Sequence, residues 1–498
     1  MTSSTQEKIV NLTIDGIPIA VQAGTTILEA ARKADVKIPT LCDCPGLNRR
    51  AYCRLCVVEC DGERKLSAAC ANYVREGMSI VSNSLRILET RKTIVELLLA
   101  NHPQECLGCV KNKKCDLQSL AATFGIRETP FQRAAAETRP REIAEETLVR
   151  DMDKCVRCGR CVEVCQEIQS AGAISTSHRS INFEMGTAYG EALAESPCNF
   201  CGQCAGVCPV GAIYGYDQRE KVRSALNSSE QNLMAQLSPA SVAGFADLFN
   251  LPPGTITAGK MVTALKLLGF KKTLDAGISA ELTISDICIE LQDRINKNEK
   301  IPMLLSNSPA FTNFLEKNYP DLIHHLSCSK SPELNFQTII KEAYSKAEGI
   351  DISKITTVSI VPHIAKKFEL LRMEKETSGL QGKDYALTNN ELALLIKTAG
   401  IDFSTLPESP FDSIISAGKT GPEGSVKRHL QETFSAYTGA EQKKPEGITE
   451  TEADLNGAKL KIVFADNFAN ARKVLESIRE GKCEAALVLV NGYFYLNP

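Results

Sequence analysis

Apolar and polar residues alternate near the start of the chain. They alternate over residues 9–14 and again over 19–21, on either side of Asp15-Gly16, and this pattern predicts two strands joined by a tight turn. Helical spacing follows from about Thr26 to Ala34, with the Thr25-Thr26 pair as the predicted N-terminal cap. Residues 8–40 are therefore predicted to fold as strand, turn, strand and helix.

Two further patterns organise the rest of the chain. Apolar residues at helical spacing over 85–100 predict a helix that leads into a stretch rich in cysteine. Beyond residue 226, helical segments such as 259–269 and 390–399 alternate with apolar strands such as Thr357–Val361 and Ala485–Val490. This alternation predicts an α/β layout with a sizeable core.

Changes in composition divide the chain near residues 82, 140 and 225. Residues 127–150 are charged, contain Pro130 and Pro140, and are interpreted as a connector on the surface. The predicted architecture is multidomain α/β, with domains over residues 1–82, 83–140, 141–225 and 226–498.

Charge and hydropathy exclude several classes of partner. The 57 basic and 60 acidic residues give a formal charge of −3, which provides no reason to expect binding to nucleic acid or to a membrane surface. No run approaches 18 apolar residues, and the polar N-terminus lacks the apolar core of a signal peptide. Many free thiols at metal-ligand spacing indicate a reducing compartment, so a cytoplasmic location is expected.

Cysteine carries the strongest chemical signal. Seventeen of the 20 cysteines precede residue 210, and eight of them form two tandem runs, each with the spacing C-x2-C-x2-C-x3-C. This is the bacterial two-cluster ferredoxin pattern, in which the fourth cysteine of each run binds the other cluster. The first predicted 4Fe–4S site is Cys155, Cys158, Cys161 and Cys208, and the second is Cys198, Cys201, Cys204 and Cys165. Structural zinc would favour two paired CxxC motifs instead.

The two runs also look like an internal repeat. Each is followed by a Gly-Ala-Ile step, Gly172-Ala173-Ile174 and Gly211-Ala212-Ile213. A cysteine-rich loop, a small turn and a short strand, used twice, predict two clusters related by a local pseudo-twofold axis.

Four earlier cysteines, Cys42, Cys53, Cys56 and Cys70, have the spacing C-x10-C-x2-C-x13-C in a β-rich stretch. This stretch resembles the 2Fe–2S domain at the start of complex-I-type and hydrogenase subunits, which implies a β-grasp fold and one 2Fe–2S cluster. Plant ferredoxins use a different spacing. Cys44 remains an alternative to Cys42 as ligand, although buried structural thiols are the simpler interpretation of Cys44 and of Cys60.

A histidine accompanies the next three cysteines. His102, Cys106, Cys109 and Cys115 have the spacing H-x3-C-x2-C-x5-C. Three cysteines leave a 4Fe–4S cluster one ligand short, and an imidazole nitrogen can supply it. The run resembles the His/Cys 4Fe–4S site of the same two families. A neutral imidazole in place of a thiolate removes negative charge, which should raise the reduction potential of the cluster.

The part of the chain after residue 226 resembles the catalytic domain of iron-only hydrogenases. The matches are short and distributed, and they include Gly259-Lys260-Met261, Leu268-Gly269-Phe270, Ala280-Glu281-Leu282-Thr283, Ser329-Lys330-Ser331-Pro332, Ala365-Lys366-Lys367-Phe368-Glu369, Leu387-Thr388 and Glu391-Leu392-Ala393. With the cysteine motifs, the resemblance covers nearly the whole chain. It implies a degenerate hydrogenase-like α/β domain behind the 2Fe–2S, His/Cys 4Fe–4S and two-cluster ferredoxin domains.

Three loops depart from the resemblance at the positions that hold the hydrogen-forming H-cluster in that family. The two cysteines of the first loop are replaced by Asn307 and Ser308, and the cysteine of the second is replaced by His363. The third loop runs Val490-Asn491-Gly492-Tyr493 without cysteine. Iron in such a cluster needs thiolates. No H-cluster and no hydrogen chemistry are therefore expected, and neither is another metal at His363 and Cys328.

These observations predict an electron-transfer subunit with one 2Fe–2S and three 4Fe–4S clusters, and no catalytic residue of its own. The resemblance implies a bifurcating NAD(P)H:ferredoxin oxidoreductase or transhydrogenase complex. Since the chain lacks a convincing GxGxxG fingerprint, flavin and NAD(P) are expected on partners. These would be a complex-I-like FMN- and NAD-binding flavoprotein and a small thioredoxin-like 2Fe–2S subunit, with ferredoxin as the exchange partner. The alternatives are a subunit of an iron-only hydrogenase or formate dehydrogenase complex, and a scaffold subunit.

Overall fold

A computed structural model of the 498-residue chain describes most of its length. The described residues are 8–48, 50–133, 140–228, 231–306, 308–376, 384–413, 447–455 and 458–491. Asn307 of the first hydrogenase-like loop and Gly492-Tyr493 of the third lie outside the described residues. None of the described helices is both long enough and apolar enough to cross a membrane.

The first region is a small mixed sheet with one helix across it. Its elements are β1 (Ile9–Ile14), β2 (Ile17–Gln22), α1 (Ile27–Lys33), β3 (Val57–Cys60), β4 (Ser67–Ala68) and β5 (Ser79–Val81). The strand order is β2-β1-β5-β3-β4, and β1 runs antiparallel to β2 but parallel to β5. The predicted hairpin and helix are confirmed, and Thr26 and Glu29 form a capping box at the start of α1.

A long helix links this sheet to the next cysteine motif. α2 (Leu85–Ala100) begins after Ser84, whose side chain accepts a hydrogen bond from the Ile87 N–H, and α3 (Asp116–Thr123) follows. The helix predicted over 85–100 is confirmed. Buried Arg91 donates to the carbonyl oxygens of Leu55 and Val57 at 3.0 and 2.8 Å, so α2 is anchored beside the Cys53–Cys56 loop.

The double cysteine run lies among short elements. These are β6 (Glu142–Ala144), β7 (Leu148–Arg150), α4 (Arg160–Glu163), β8 (Ser175–Ser177), β9 (Glu184–Gly186), α5 (Gln203–Gly206), β10 (Ile213–Gly215) and α6 (Arg219–Leu226). β7 lies between β10 and β6 in one sheet, while β8 pairs with β9.

One interpretation of the sequence is wrong in this region. The surface connector over 127–150 ends in β6 and β7, and Leu148 and Val149 are almost completely buried. β7 pairs antiparallel with β10, about 65 residues further along the chain, and this distant partner draws the short apolar pair into the core. Of the earlier part of the supposed connector, residues 134–139 lie outside the described residues.

In the C-terminal region, the described residues form two four-stranded sheets. Its strands are β11 (Asn232–Leu237), β12 (Lys272–Asp275), β13 (Met303–Leu305), β14 (Ile355–Val361), β15 (Tyr385–Thr388), β16 (Ile448–Leu455), β17 (Ala458–Ala465) and β18 (Leu487–Val490). One sheet is parallel with the order β12-β11-β14-β15, and the other has the order β13-β18-β17-β16 with β16 antiparallel. The strand predicted at Ala485 begins two residues later, at Leu487.

Eight helices cover these sheets in the described residues. They are α7 (Pro239–Ala243), α8 (Ala258–Leu268), α9 (Gly277–Lys297), α10 (Pro309–Asn318), α11 (Pro332–Glu348), α12 (Ala365–Glu376), α13 (Asn389–Thr398) and α14 (Phe468–Arg479). α8 and α13 confirm the predicted helices. Phe311, Phe314, Tyr319 and Phe468 pack into one aromatic cluster between α10 and α14, so this region has an apolar core of its own.

Candidate metal centres

The four cysteines predicted to hold a 2Fe–2S cluster lie together at one end of the first sheet. Cys53 and Cys56 precede β3, Cys70 follows β4, and all four thiols are buried. A hydrogen bond from Cys53, followed by one from Cys70, lowers the pKa of Cys42 to about 2. A hydrogen bond with Cys70 likewise lowers the pKa of Cys56 to about 7. The four thiols therefore form one contiguous network, which iron would enter by displacing their protons.

The spare thiols lie apart from this network. Burial raises the pKa of Cys44, and the charges that act on it belong to Arg160, Asp43, Asp116 and Arg32. Burial also raises the pKa of Cys60, which lies in β3. The geometry thus groups Cys42 with the other three predicted ligands and places Cys44 near the ferredoxin-type region.

The double run folds into two crossed sets of thiols. Burial is the main cause of a raised pKa in Cys155, Cys158 and Cys161, and the charge of Cys208 raises the pKa of all three. In the same way, burial and the charge of Cys165 raise the pKa values of the second set, Cys198, Cys201 and Cys204. Because charge interactions weaken with distance, each fourth cysteine lies near the opposite run, and the binding of clusters by these two sets stays a prediction.

The two loops also repeat each other in backbone conformation. Arg157 and Phe200 both have a φ of 55°, and each N–H donates to the preceding cysteine sulfur, Cys155 or Cys198, at 3.4 Å. Gly159 and Gly202, with φ values of 82° and 75°, each start a short helix. An N–H directed at sulfur favours thiolate, so the matching loops suit two equivalent metal sites.

His102 follows α2 and is directed into the protein. Burial, followed by the positive charge of Lys154, lowers the pKa of His102, and neutral imidazole is the form that binds metal. Nδ1 of His102 is buried without a hydrogen-bond partner in the described structure. Buried polar atoms are rarely left unpaired, and a metal would satisfy this one.

The three cysteines that accompany His102 lie on a loop between α2 and α3. Cys115 is buried at the start of α3, and the charge of Cys109 contributes to its raised pKa after burial. Cys109 also lies beside Lys154, the residue that acts on His102. Cys106 is exposed on the outer side of the loop. The arrangement therefore leaves one predicted ligand exposed, two half-buried and one buried.

The sets differ from the site of a single ion. In the part of the chain that the structure describes, no three His, Cys, Asp or Glu side chains surround one metal position. In a 4Fe–4S cluster each cysteine binds a different iron atom, so the sulfurs stand further apart than the ligands of one ion. Three features favour iron–sulfur clusters at these sites. They are the neighbouring buried thiols, the N–H donors to sulfur and the unpaired imidazole nitrogen.

Two glycines bring the first ferredoxin-type set against the N-terminal sets. A Cβ atom at Gly159 would lie 2.8 Å from the ring of Tyr52, the residue before Cys53. A Cβ atom at Gly211 would lie 2.6 Å from Cys109 Sγ. Both contacts require glycine, and both join neighbouring sets of thiols.

The C-terminal region closes over the second ferredoxin-type set. Lys317 Nζ donates to the carbonyl oxygens of Ser196 and Cys198 at 2.8 and 2.7 Å. The Phe200 and Phe368 rings stack at 4.6 Å, and a Cβ atom at Gly202 would lie 2.2 Å from Ile364 Cγ1. Ile364 follows His363, so this thiol set packs against one of the three degenerate loops. Sequence reasoning missed Lys317, because no local pattern relates it to Cys198.

A small cavity lies between the first degenerate loop and the segment that contains Ser329 and Ser331. It has a volume of about 80 Å³, and Ser306, Ser308, Ser331 and Glu369 are among the residues that line it. Ser308 Oγ is buried without a hydrogen-bond partner among the described residues. Lys366 Nζ pairs with Glu333 and Glu369 at 2.8 and 3.1 Å, and burial raises the pKa of Glu369. Hydroxyls and an ion-pair cluster therefore line this space.

Comparison with known protein families decides the relationship. The family described as "Iron only hydrogenase large subunit, C-terminal domain" matches residues 231–491, more than half of the 498-residue chain. The chain belongs to the iron-only hydrogenase large-subunit family. Upstream of this hydrogenase-family domain, a 2Fe–2S cluster binding domain matches residues 7–84. The iron–sulfur binding region of NADH-ubiquinone oxidoreductase G matches 91–130, and the ferredoxin-like domain of NADH-quinone oxidoreductase subunit 3 matches 146–214.

Two hydrogenases match nearly the full chain, and a third relative matches less than half of it. NADP-reducing hydrogenase subunit HndD of Solidesulfovibrio fructosivorans is 36% identical over 95% of this chain and 85% of its own length. Iron hydrogenase 1 of Clostridium pasteurianum is 30% identical over 97% of this chain and 89% of its own length. The NADPH-Fe(3+) oxidoreductase subunit alpha of Geobacter sulfurreducens is 34% identical over 41% of this chain and 24% of its own length. The predicted family resemblance is confirmed.

Proposed function

We propose that this hydrogenase-family chain is the iron–sulfur electron-transfer subunit of a multi-subunit, electron-bifurcating NAD(P)H:ferredoxin oxidoreductase or transhydrogenase. One observation carries the proposal. The N-terminal half retains all sixteen predicted ligands and brings the thiols of three of the four sets together, whereas Ser308 and His363 stand at cysteine positions in the hydrogenase-like domain. A chain with this contrast conducts electrons without hydrogenase activity of its own.

The proposed sites hold one 2Fe–2S and three 4Fe–4S clusters, which when bound supply one-electron carriers. The proposed ligands of the 2Fe–2S cluster are Cys42, Cys53, Cys56 and Cys70. The His/Cys 4Fe–4S cluster is assigned to His102, Cys106, Cys109 and Cys115. The two ferredoxin-type 4Fe–4S clusters are assigned to Cys155, Cys158, Cys161 and Cys208, and to Cys198, Cys201, Cys204 and Cys165. We assign them to a β-grasp domain over 1–82, a His/Cys domain over 83–140 and a two-cluster ferredoxin domain over 141–225, ahead of the hydrogenase-like domain over 226–498.

The residues in the degenerate loops support the loss of hydrogen chemistry. A serine hydroxyl such as that of Ser308 does not replace a thiolate on iron at neutral pH. Lys366 is engaged with Glu333 and Glu369, so its charge is already balanced within the protein. The domain instead covers the second ferredoxin-type site through Lys317 and Ile364, which gives it a role in shielding that site.

The contacts between the ligand sets support a branched route for electrons. The 2Fe–2S set and the His/Cys set both adjoin the first ferredoxin-type set, at Gly159 and Gly211. The second set lies on the far side, under the hydrogenase-like domain. A junction of this kind suits a subunit that takes electrons from the flavoprotein at the second set and distributes them to partners at the other two sets.

The relatives support the choice of partners. Two of them are named for NADP or NADPH, and two upstream segments match subunits of NADH-quinone-type enzymes. We propose that FMN and NAD(P) bind on a complex-I-like flavoprotein, and that a thioredoxin-like 2Fe–2S subunit, ferredoxin and a cytoplasmic location complete the system.

The proposal is tested with Cys201→Ser in the assembled complex. The variant should lose the second ferredoxin-type cluster, and nicotinamide-dependent ferredoxin reduction should fall sharply while diaphorase activity at the flavin survives. Cys483→Ser is the matched control, because this half-buried thiol lies in the hydrogenase-like domain outside all predicted sets. Undiminished ferredoxin reduction in Cys201→Ser would place this cluster off the productive route.

The hydrogenases among the relatives favour one alternative, an active hydrogenase with unusual ligands. Reduced methyl viologen supplies electrons directly to such an enzyme. Hydrogen evolution from reduced viologen by the reconstituted chain would support this alternative, and the proposed function requires that none is formed.

A further inference from the structure

Among the sixteen proposed ligands, one thiol is exposed to solvent. Cys106 is exposed, whereas the other fourteen cysteines are buried or half-buried and His102 is half-buried. Electron transfer slows steeply with distance, so an external redox protein gains most by approaching a centre whose ligand lies at the surface. The His/Cys set is therefore the natural point of contact with such a protein.

The surface around Cys106 is apolar at its centre. Leu107, the next residue, is 94% exposed, and Val110 is 56% exposed. A single exposed leucine is ordinary on a protein surface. Here, however, two apolar side chains lie on the same short loop as an exposed candidate ligand, and apolar contacts beside a redox centre exclude water when a partner binds.

Positive charge surrounds this apolar centre. Lys113 and Lys114 are exposed, Lys111 is half-exposed, and none of the three pairs with an acidic residue in the described structure. Glu105 is the one acidic residue between Gln104 and Lys114. Unpaired lysines around a contact site attract an acidic partner and speed its association.

The loop is also held in place before any partner arrives. The Cys109 and Asn112 N–H groups donate to the carbonyl oxygens of Cys106 and Cys109 at 3.1 and 3.0 Å. The Gln118 side chain accepts from the Lys113 N–H at 2.9 Å and donates to Asn112 at 3.3 Å. A surface that is already ordered loses little conformational entropy on binding.

We propose that Cys106, Leu107, Val110, Lys111, Lys113 and Lys114, here called the Cys106 face, dock a small acidic iron–sulfur protein of the ferredoxin class. The inference rests on the proposed function and names the place where ferredoxin exchanges electrons with the chain. One electron leaves the reduced chain and reduces the docked ferredoxin by one electron, and no covalent bond is made or broken.

The composition of the Cys106 face favours this occupant over a permanent subunit. Permanent interfaces are large and rich in apolar residues. The Cys106 face has two exposed apolar side chains and three lysines, which suits a brief encounter guided by charge. Ferredoxin must arrive and leave once per electron, so a weak, salt-sensitive contact is the useful one.

The test reverses two charges in the assembled complex. In Lys113→Glu/Lys114→Glu, the KM for an acidic two-cluster 4Fe–4S ferredoxin should rise about tenfold or more at low ionic strength, and the difference should shrink in high salt. Lys346→Glu/Lys354→Glu makes the same change of net charge on exposed residues of the hydrogenase-like domain, and its KM should remain that of the unmodified complex.

A direct binding measurement separates docking from any change in cluster potential. The Kd of oxidised ferredoxin for the oxidised complex, measured by interferometry, should rise in the Lys113→Glu/Lys114→Glu variant in parallel with KM. Leu107→Ser should also weaken binding, with little effect on folding because this side chain is almost fully exposed.

The outcomes divide clearly. A Kd equal to that of the Lys346→Glu/Lys354→Glu control would overturn the docking proposal, even if the complex reduces ferredoxin normally. Dissociation of a subunit in the Lys113→Glu/Lys114→Glu variant would also overturn it, because the Cys106 face would then be a permanent interface. If the unmodified complex reduces no ferredoxin, the proposed function fails, and the Kd comparison alone decides the docking proposal.

Discussion

The cores of the two halves of this molecule differ in residue composition. The main core of the N-terminal half contains eight buried cysteines among its 26 buried residues, and Phe200 is its one aromatic member. The core between α10 and α14 contains Phe311, Phe314, Tyr319 and Phe468, with no cysteine among its fully buried members. The first core is rich in thiols and the second is rich in aromatic rings.

Under the proposed function, this difference accounts for the loss of the H-cluster cysteines and the retention of the other predicted ligands. A hydrogenase-like domain whose sheets bury their own apolar residues keeps its fold after Ser308 and His363 replace cysteine. The ferredoxin-type loops instead contribute five of the eight buried cysteines of the N-terminal core. If these thiols hold clusters as proposed, removal of iron takes away the contribution of metal binding to the stability of the loops.

The largest expected effect comes from removal of iron, which should destabilise the N-terminal half and leave the fold of the C-terminal half intact. Structural metal binding supplies on the order of 10 kcal/mol of folding free energy in small domains. After anaerobic chelation, we expect amides of residues 140–215 to exchange rapidly with deuterium while β11, β14 and β18 stay protected. Equal loss of protection in both halves would show that the hydrogenase-like domain also depends on metal.

A substitution in the core of the C-terminal half should destabilise that half and leave the clusters of the N-terminal half unchanged. Phe245 is fully buried and contacts the rings of Phe249 and Phe403. Phe245→Ala should lower the free energy of unfolding of the C-terminal half by about 3–5 kcal/mol. Thermal unfolding measures the loss, and the EPR signals of the clusters at low temperature should stay unchanged. Broadened or missing cluster signals would show that the two cores are not independent.

A smaller effect should appear where two ligand sets touch. Gly159→Ala combines a positive φ with a clash against Tyr52, whereas Gly172→Ala has a positive φ of 64° and no atom within 4 Å of the added carbon. A positive φ costs about 1–2 kcal/mol in both variants. Gly159→Ala should cost more, and it alone should weaken the magnetic coupling between the 2Fe–2S cluster and its neighbour. Equal destabilisation would mean that the Tyr52 contact is unimportant.

The smallest expected effect is on a reduction potential, and it comes from Lys317, whose positive charge lies at the boundary between the halves. Lys317 is partly buried, which lowers its pKa, and it donates to the Cys198 carbonyl. Reduction adds negative charge to the neighbouring cluster, and a nearby cation stabilises that state. Lys317→Met should therefore lower the reduction potential of this cluster in an EPR-monitored titration, and Lys317→Arg should restore most of it. An unchanged potential in Lys317→Met would separate the hydrogenase-like domain from electron transfer.

Local patterns in the sequence predict the first hairpin and the Thr26 cap, because each depends on residues that lie close together in the chain. The crossed ligand sets depend on fixed cysteine spacing and stay a prediction. Sequence fails where distant segments meet. Leu148 and Val149 look like part of a charged connector until β10 pairs with them. The contacts of Lys317 with Cys198 and of Ile364 with Gly202 likewise join segments more than 100 residues apart.

The proposed function requires that iron occupies the N-terminal half alone, and total iron measured together with infrared spectra tests this most directly. After anaerobic reconstitution, including maturation with hydrogenase assembly factors, we expect about 14 iron atoms per chain, from one 2Fe–2S and three 4Fe–4S clusters. We also expect no infrared bands from CO or CN ligands. About six further iron atoms together with such bands would show that the hydrogenase-like domain holds an H-cluster, and would contradict the account.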